Sequence, residues 1–517
     1  MTNDRVRPSK WTAWYLGGAI LVMTIWFFPY FPQLGSPNEL TRLYLTRAIV
    51  DDGSFSIDGP VSRYGHITDL ARADGRLYSD KAPGVSIAGL PVYIVAKALV
   101  GWNSEAISNS SLLRLMRIFL AGLPTAAIVV LLFFLLGRIE LSRSRRLFLV
   151  GAYGLGTIAF PYGVLLFGHQ LATLCLVGAF SLIERNNRKP AWYASLIAGC
   201  LLGCALLCEY TTLLLVIPIA VYAVWSSSTR TRNIFLGLLG CLLPLGFLAA
   251  YHTLCFSGPF STGYAHLAHK SFAQVHDQGL WGLVTPSFSR LLVILVSPTK
   301  GLWFFSPWLI LALPGLVAAL LRPEYPRLRP AWIAISTASL LYLLFAMSLQ
   351  LSAWGWSLGP RHLCPLIPFW VLAIGYLLRL PIGYSKWTER TLLVLVPLSV
   401  ITIVLPTAVF GGFPPDFSNP LADFTLPLLS SGCLPPSIGT SLGLTPGWAG
   451  LPFWLATAGL LIMLFKSVQM PAREKILCLA LAALFVGLML TVKGPVQPAE
   501  QRSLDWVRQD ILKCDSV

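Results

Sequence analysis

The chain is dominated by apolar segments that are long enough to cross a membrane. Runs such as 114–137, 233–255 and 475–492 reach the roughly 20 residues that a helix needs to span the hydrocarbon core. Of the 517 residues, 55% are hydrophobic and only 12% are charged. Segment length and composition together predict an all-α polytopic membrane protein.

Clusters of Lys and Arg assign the two sides of this membrane, because positive charge collects in cytoplasmic loops. We place these clusters in the cytoplasm: 5–10, 138–146, 185–189, 230–232, 322–329, 379–390 and 466–475. About 13 crossings then fit the chain, near 11–31, 113–137, 147–163, 167–183, 191–208, 211–226, 233–255, 302–321, 331–350, 364–379, 391–411, 450–465 and 475–492. The net charge of +16 is explained by these loops and indicates no nucleic-acid partner.

This topology predicts a transmembrane domain over 1–492 and a short external tail over 493–517. The N-terminus is cytoplasmic, with 11–31 as an uncleaved signal anchor, and the C-terminus is external. Four longer external segments follow: 32–112, 256–287, 351–363 and 412–449. Residues 84–101 are apolar, but letting them span would move the basic cluster 138–146 outside. We therefore expect a helix or re-entrant segment at the outer interface there.

The first external loop holds a third of the acids in the chain. Seven of the 22 acids lie between residues 38 and 81, which is about a tenth of the chain: Glu39, Asp51, Asp52, Asp58, Asp69, Asp74 and Asp80. Residues 38–50 predict a helix, with Asn38 as its cap and Gly53 at its end. We expect this helix to lie on the membrane with Glu39 and Arg42 facing outward. Asp74 followed by Gly75 predicts a turn.

Two stretches of this loop carry a resemblance to a known family. "PNELTRLYLTRAIVDDG" and "GRLYSDKAPGVSIAGLPVY" resemble the first external loop of the GT-C membrane glycosyltransferases. The most similar branch contains the protein O-mannosyltransferases and the lipid A aminoarabinose transferases. The Asp-Glu pair of that branch corresponds to Asn38-Glu39, and its acid-Lys-Pro-Pro motif corresponds to Asp80-Lys81-Ala82-Pro83.

The resemblance implies a GT-C fold and transfer of a sugar from a polyprenyl-phosphate donor, on the outer face of a cell (inner) membrane. The acceptor is a lipid, a glycan or a protein. The family's catalytic base is replaced by Asn38, so Glu39 or Asp69 is the candidate base for an inverting displacement. Asp80 either holds Lys81 in place or contributes an oxygen ligand to a divalent cation, Mg²⁺ or Mn²⁺.

The leaving phosphate of such a donor needs positive charge or a metal ion. Candidate groups in and beyond the first loop are Asn38, Arg42, Lys81, Lys300, Arg361 and His362. Three further candidates lie at the outer ends of predicted helices: His169, Glu209 and Tyr210. An acid near the membrane, such as Glu209, is energetically expensive and therefore suggests function. Trp354 and Trp356 are candidates for stacking on a sugar ring, and an interfacial aromatic belt explains them equally well.

Other interpretations of these residues stay open. Asp80 and Lys81 also fit an ordinary surface ion pair, and His169 fits a packed or capping histidine. The whole chain also fits a lipid or solute transporter, a flippase, or a non-catalytic protein of the same fold. The absence of an internal sequence repeat and the clustering of acids in one loop disfavour the transporter.

Overall fold

The computed structural model describes residues 11–27, 36–102, 107–227, 229–279, 282–322, 328–468, 470–491 and 498–514. The helices up to residue 164 are α1 (Trp11–Ile25), α2 (Pro37–Asp51), α3 (Asp58–Tyr64), α4 (Gly84–Ala88), α5 (Leu90–Leu99), α6 (Asn109–Arg117), α7 (Leu123–Arg138), α8 (Arg143–Leu155) and α9 (Ala159–Val164). The next are α10 (Gly168–Asn186), α11 (Trp192–Cys208), α12 (Leu213–Trp225), α13 (Arg230–Phe256), α14 (Lys270–His276), α15 (Phe288–Val296), α16 (Leu302–Phe305), α17 (Ala312–Leu321) and α18 (Arg329–Ser348). The last are α19 (Ile367–Leu377), α20 (Ile382–Phe410), α21 (Leu426–Ser430), α22 (Ile438–Ser441), α23 (Pro446–Ser467), α24 (Ala472–Thr491) and α25 (Pro498–Trp506).

Shorter helical turns join several of these helices. The 3₁₀ turns are Tyr210–Thr212, Gly263–His266, Pro307–Leu311, Leu351–Trp354 and Arg361–Leu366. The π turns are Ile118–Gly122, Leu421–Thr425 and Val507–Ile511. Where the structure describes them, the thirteen stretches predicted as crossings are mainly helical, although 147–163 is interrupted at 156–158 and 302–321 is interrupted at Ser306. Residues 28–31 of the first stretch and residue 492 of the last lie outside the described part.

Length and hydropathy single out the helices that are best suited to cross a bilayer. In the described part of the chain, six are long and apolar enough: Asn109–Arg138, Arg230–Phe256, Arg329–Ser348, Ile382–Phe410, Pro446–Lys466 and Ala472–Thr491. Leucines on α13 are widely exposed, with Leu238 and Leu242 at 66% and Leu243 at 78%. Such an apolar face is unfavourable in water and suits lipid contact. The protein is therefore a multi-pass membrane protein.

The helix predicted over 38–50 is present as α2, but its predicted orientation is wrong. Glu39 is 0% exposed and Arg42 is 4% exposed, so neither side chain faces outward. Helices α4, α5 and α6 pack around α2, and the first external loop supplies most of an apolar core that also includes Leu166, Cys208 and Phe256. The predicted cap is also shifted, because Ser36 takes the N-cap position and Asn38 lies inside the first turn.

A β-hairpin, which the sequence analysis did not predict, follows α3. Strand β1 (Leu70–Ala73) pairs antiparallel with β2 (Arg76–Ser79), and Leu70 lies opposite Ser79. The predicted turn at Asp74 and Gly75 is confirmed, with φ of 48° and 77°. Positive φ at both central residues is the geometry of a tight hairpin turn, for which Asp-Gly is a preferred pair. Asp69 directly precedes β1 and Asp80 directly follows β2, so both acids lie at the open end of the hairpin.

The external tail is tied to the last long external segment. A disulfide joins Cys433, in the predicted segment 412–449, to Cys514 in the tail. Glu500 of α25 accepts hydrogen bonds from the backbone N–H and the hydroxyl of Ser418, each at 3.0 Å. The sequence analysis did not predict this disulfide, although it placed both segments on the same side of the membrane.

Candidate functional site

A cavity of about 1220 Å³ lies between the predicted first external loop and the adjoining ends of several helices. Ten of the twelve candidate residues from the sequence line it: Asn38, Glu39, Asp69, Asp80, Lys81, Glu209, Tyr210, Lys300, Arg361 and His362. The other two, Arg42 and His169, contact lining residues from behind. The structure thus gathers candidates from five separate regions of the chain around a single space.

Lys81 is held between two carboxylates at the wall of this cavity. Its Nζ lies 2.6 Å from Oδ2 of Asp80 and 3.0 Å from Oδ2 of Asp69. Although burial alone would lower the pKa of Lys81, the carboxylates of Asp69 and Asp80 raise it above its ordinary value. The interpretation as a surface ion pair is wrong, because the Lys81 side chain is 9% exposed and that of Asp80 is 1% exposed. The ammonium is already balanced by two negative charges.

A glycine fixes the position of this cluster. Gly84, which starts α4 directly after the Asp80–Pro83 motif, lies against the end of α11, and a Cβ there would come within 2.5 Å of the Leu207 carbonyl oxygen. Only a glycine permits this approach without displacing the backbone. The contact brings the motif next to Glu209, which follows α11.

Both oxygens of the Glu39 carboxylate accept hydrogen bonds from neighbouring residues. Its Oε1 accepts hydrogen bonds from Nε of Arg117 and from the Leu166 N–H, both at 2.7 Å. Its Oε2 accepts from Nη2 of Arg117 at 2.5 Å and from the Ser36 hydroxyl. A carboxylate with both oxygens engaged in this way has little remaining capacity to take a proton from a substrate.

Arg361 is a candidate for binding an anion. Within the described residues, no carboxylate lies within ion-pair distance of Arg361 or Arg42. Both guanidinium groups lie near the ring of Phe167, at 5.7 Å for Arg361 and 5.9 Å for Arg42. Arg42 also donates hydrogen bonds to the backbone and side-chain oxygens of Asn38. Of the two, Arg361 reaches the cavity.

Lys300 fastens the loop that precedes Arg361. Its Nζ donates to the carbonyl oxygen of Gly355 at 2.6 Å and to both oxygens of Ser357 at 3.0 and 3.2 Å. Burial, and to a smaller extent the nearby Arg361, lowers the pKa of Lys300 to about 7. This lysine therefore acts on the loop more directly than on a ligand in the cavity.

His169, Glu209 and His362 converge from three parts of the chain. His169 lies in the first turn of α10, Glu209 follows α11, and His362 lies in the turn before α19. Nδ1 of His169 lies 3.4 Å from Oε2 of Glu209, and Nδ1 of His362 lies 4.0 Å from its Oε1. The ligand atoms of all three residues lie within 4.8 Å of one another, so this group is able to hold a metal ion. Neighbouring Tyr210 bonds through its hydroxyl to Nε2 of His252 at 2.8 Å.

Sequence reasoning missed some residues of the site. Arg117, the partner of Glu39, lies inside the predicted span 113–137. A charged residue within such an apolar run was the sequence signal that could have identified it. Trp506 of the tail lines the cavity and lies with its ring centroid 5.9 Å from that of Trp356, which lines it too. Nothing in the tail sequence indicated this contact.

Comparisons with known proteins give a family match and several structural similarities, including two to crystal structures of ArnT. Residues 106–249 match the family model of dolichyl-phosphate-mannose-protein mannosyltransferases. The crystal structure of ArnT from Cupriavidus metallidurans in the apo state has a TM-score of 0.46 at 15% identity, over 93% of this chain and 76% of that chain. The structure of ArnT bound to undecaprenyl phosphate has a TM-score of 0.45 at 14% identity, over the same shares. A comparison with curated proteins finds no match.

The family match lies almost wholly beyond the two stretches that suggested the resemblance, which are in residues 37–93. It therefore supports the same interpretation from a different part of the chain. This multi-pass membrane protein resembles the GT-C membrane glycosyltransferases of the protein O-mannosyltransferase branch.

Proposed function

We propose that this protein is a glycosyltransferase of a cell (inner) membrane. It takes a sugar from a polyprenyl-phosphate donor and transfers it, on the outer face, to a lipid, glycan or protein acceptor. The observation that carries this proposal is the single cavity in which carboxylates, an Arg361 without a carboxylate partner in the described chain, and apolar helix surfaces meet. Lipid-linked substrates need all three kinds of surface.

The donor lipid has an apolar surface available to it. Leucines from α11, α12 and α13 line the cavity: Leu206, Leu213, Leu214, Leu245 and Leu248. Leu213 is also 45% exposed and Leu245 37% exposed, so the apolar lining continues to the surface of the helices. A polyprenyl chain entering between these helices buries apolar area, at about 0.8 kcal/mol for each CH₂ group.

Arg361 is the proposed contact for the donor phosphate. A guanidinium presents paired N–H donors that match phosphate oxygens, and it keeps its charge at any physiological pH. Lys81 is less suited to this task, because Asp69 and Asp80 already balance its charge. Lys300 supports Arg361 by holding Gly355, where an added Cβ would lie 3.4 Å from Nη1 of Arg361.

Asp69 is the proposed base. Its side chain is 12% exposed and lines the cavity, whereas Glu39 has both oxygens bound by Arg117, Leu166 and Ser36. Asp69 takes the proton of the acceptor hydroxyl as the new bond to the anomeric carbon forms. The bond from that carbon to the phosphate oxygen breaks, and polyprenyl phosphate leaves with the electron pair. Attack opposite the leaving group inverts the anomeric configuration.

The disulfide between Cys433 and Cys514 supports the outer location. Disulfides persist outside the cytoplasm and are rare inside it. The tail that contains Cys514 also brings Trp506 to the cavity wall, so the cavity lies on the same side as the disulfide. This agrees with the cytoplasmic N-terminus and external C-terminus expected from the basic clusters.

Donor consumption by the purified protein tests this function. The protein, reconstituted in vesicles, is given polyprenyl-phosphate mannose, glucose or aminoarabinose with a radiolabelled sugar. We expect at least one sugar to be released from its lipid phosphate, because the cavity offers a base and a phosphate contact. If no donor is consumed while the vesicles translocate labelled lipid, the flippase interpretation replaces ours.

A further inference from the structure

The two histidines beside Glu209 are buried with a ring nitrogen that makes no hydrogen bond in the described structure. These atoms are Nδ1 of His169 and Nδ1 of His362. The His169 side chain is 3% exposed and the His362 side chain is 12% exposed. A buried polar atom without a partner costs about 1–3 kcal/mol, so such atoms require an explanation. Here both nitrogens lie near the same carboxylate.

The surrounding side chains hold this arrangement in place. The His169 ring lies edge-on to Tyr162 at 5.4 Å, and the His362 ring lies edge-on to Trp354 at 5.2 Å. The two imidazole rings are nearly perpendicular, at 89°, with centroids 5.5 Å apart. Rings fixed by aromatic neighbours lose little further conformational freedom when they bind a ligand.

A glycine also enables the approach of His169 to Glu209. A Cβ at Gly168 would lie 2.4 Å from the Cys208 carbonyl oxygen and 3.3 Å from Oε2 of Glu209. Any larger residue would therefore separate the start of α10 from the end of α11. Residue 168 is thus small because two helix ends meet at this point.

We propose that His169, Glu209 and His362 bind a zinc ion whose remaining coordination position faces the cavity. Two imidazole nitrogens and one carboxylate are a ligand set typical of catalytic zinc, with a fourth position left for water or substrate. Mg²⁺, one of the two cations considered from the sequence, prefers an all-oxygen shell and suits this set poorly. Mn²⁺ tolerates imidazole and is the competitor to test.

The distances fit a zinc ion after small side-chain movements. Ligand atoms about 2.0–2.2 Å from a tetrahedral ion lie about 3.3 Å from one another. The 3.4 Å distance between Nδ1 of His169 and Oε2 of Glu209 is already close to this value. Rotation of the His362 side chain would shorten the 4.0 Å distance between its Nδ1 and Oε1 of Glu209. Glu209 and His362 line the cavity, so the open position faces a ligand there.

Resting on the proposed function, the role of the ion is to contact the donor phosphate together with Arg361. Arg361 and Arg42 are close enough to oppose a cation electrostatically, and Glu209 supplies a single negative charge. A phosphate would balance this excess of positive charge. We therefore expect zinc to bind more tightly when polyprenyl phosphate is present, and the phosphate more tightly when zinc is present.

Direct metal binding by the full-length protein in detergent tests the inference without any enzyme assay. The chelator-treated protein receives ZnCl₂, is desalted, and its zinc content is measured by mass spectrometry. We expect one zinc per chain, and at least about tenfold weaker binding for His169→Ala, His362→Ala and Glu209→Gln. His269→Ala is the matched control, because His269 is an external-loop histidine outside this group. The visible absorption of Co²⁺ added to the unaltered protein gives a second readout that depends on no variant.

The inference is overturned if the unaltered protein binds no zinc and gives no Co²⁺ spectrum, or if Mn²⁺ displaces zinc at equal concentration. Loss of zinc in His269→Ala with retention in His169→Ala would also overturn it. Sugar transfer by the metal-free protein would contradict the proposed role of zinc while supporting the proposed glycosyltransferase function. Zinc binding without transfer of any sugar would support the zinc site while contradicting the proposed glycosyltransferase function.

Discussion

At the scale of single residues, the chemistry depends on which carboxylate is free to act. The sequence placed Glu39 and Asp69 on an equal footing, because both are acids in the same loop. Both line the cavity, but the structure separates them by their partners: Glu39 is bound at both oxygens, whereas Asp69 pairs with Lys81 through Oδ2. Residue type and spacing cannot provide this distinction, since Arg117 is 78 residues away from Glu39.

Replacing Glu39 by Gln therefore affects stability first. The change leaves the Arg117 guanidinium, whose side chain is 6% exposed, without its counter-charge. Removing one partner of a buried pair costs about 3–5 kcal/mol, so we expect a clearly lower unfolding temperature in detergent.

Glu474→Gln is the matched control for this change. Glu474 forms a 2.9 Å pair with Arg390, but their side chains are 36% and 55% exposed. An exposed pair contributes at most about 1 kcal/mol, so the control should unfold near the temperature of the unaltered protein. If Glu39→Gln is as stable as this control but inactive, Glu39 rather than Asp69 is the base.

At the scale of elements, the sequence predicted helices better than their surroundings. The thirteen apolar stretches are mainly helical in the described part of the chain, and the Asp74-Gly75 turn is present. The orientation of α2 was wrong, because a pattern of apolar and charged residues does not distinguish a wet surface from a buried polar network. The polar side of α2 meets Arg117 and Ser86 instead of water.

The close contact at Gly84 gives a prediction for an element. We expect Gly84→Val to move α4 away from the end of α11, because its Cβ would lie 2.5 Å from the Leu207 carbonyl. Overpacking of this kind costs about 1–3 kcal/mol, and it should also weaken donor consumption by shifting Lys81 and Asp80. Unfolding temperature and donor consumption are measured together.

Gly246→Ala in α13 is the control, because a Cβ there meets nothing within 4 Å. It should leave both quantities unchanged or raise stability slightly through better helix propensity. An unfolding temperature and activity for Gly84→Val that equal those of the control would contradict the proposed packing role of this glycine.

At the scale of the whole molecule, the cavity joins residues that are hundreds of positions apart. Lys81, Glu209, Arg361 and Trp506 meet there, although no local pattern connects them. The basic clusters predict that these regions lie on one side of the membrane. They were not sufficient to show that the tail reaches the cavity, because that depends on tertiary contacts such as the Cys433–Cys514 disulfide.

The central claim is that Asp69 acts as the base in sugar transfer, and Asp69→Asn tests it most directly. Asp74→Asn is the matched control: it makes the same chemical change in the same hairpin region, at an exposed turn outside the cavity where Asn also accepts a positive φ. With the donor that the unaltered protein consumes, we expect Asp69→Asn to lower the transfer rate by about 10²–10⁴-fold, with little change in the unfolding temperature because Asp80 still pairs with Lys81. Asp74→Asn should keep the full rate. Equal rates for the two variants would contradict the account.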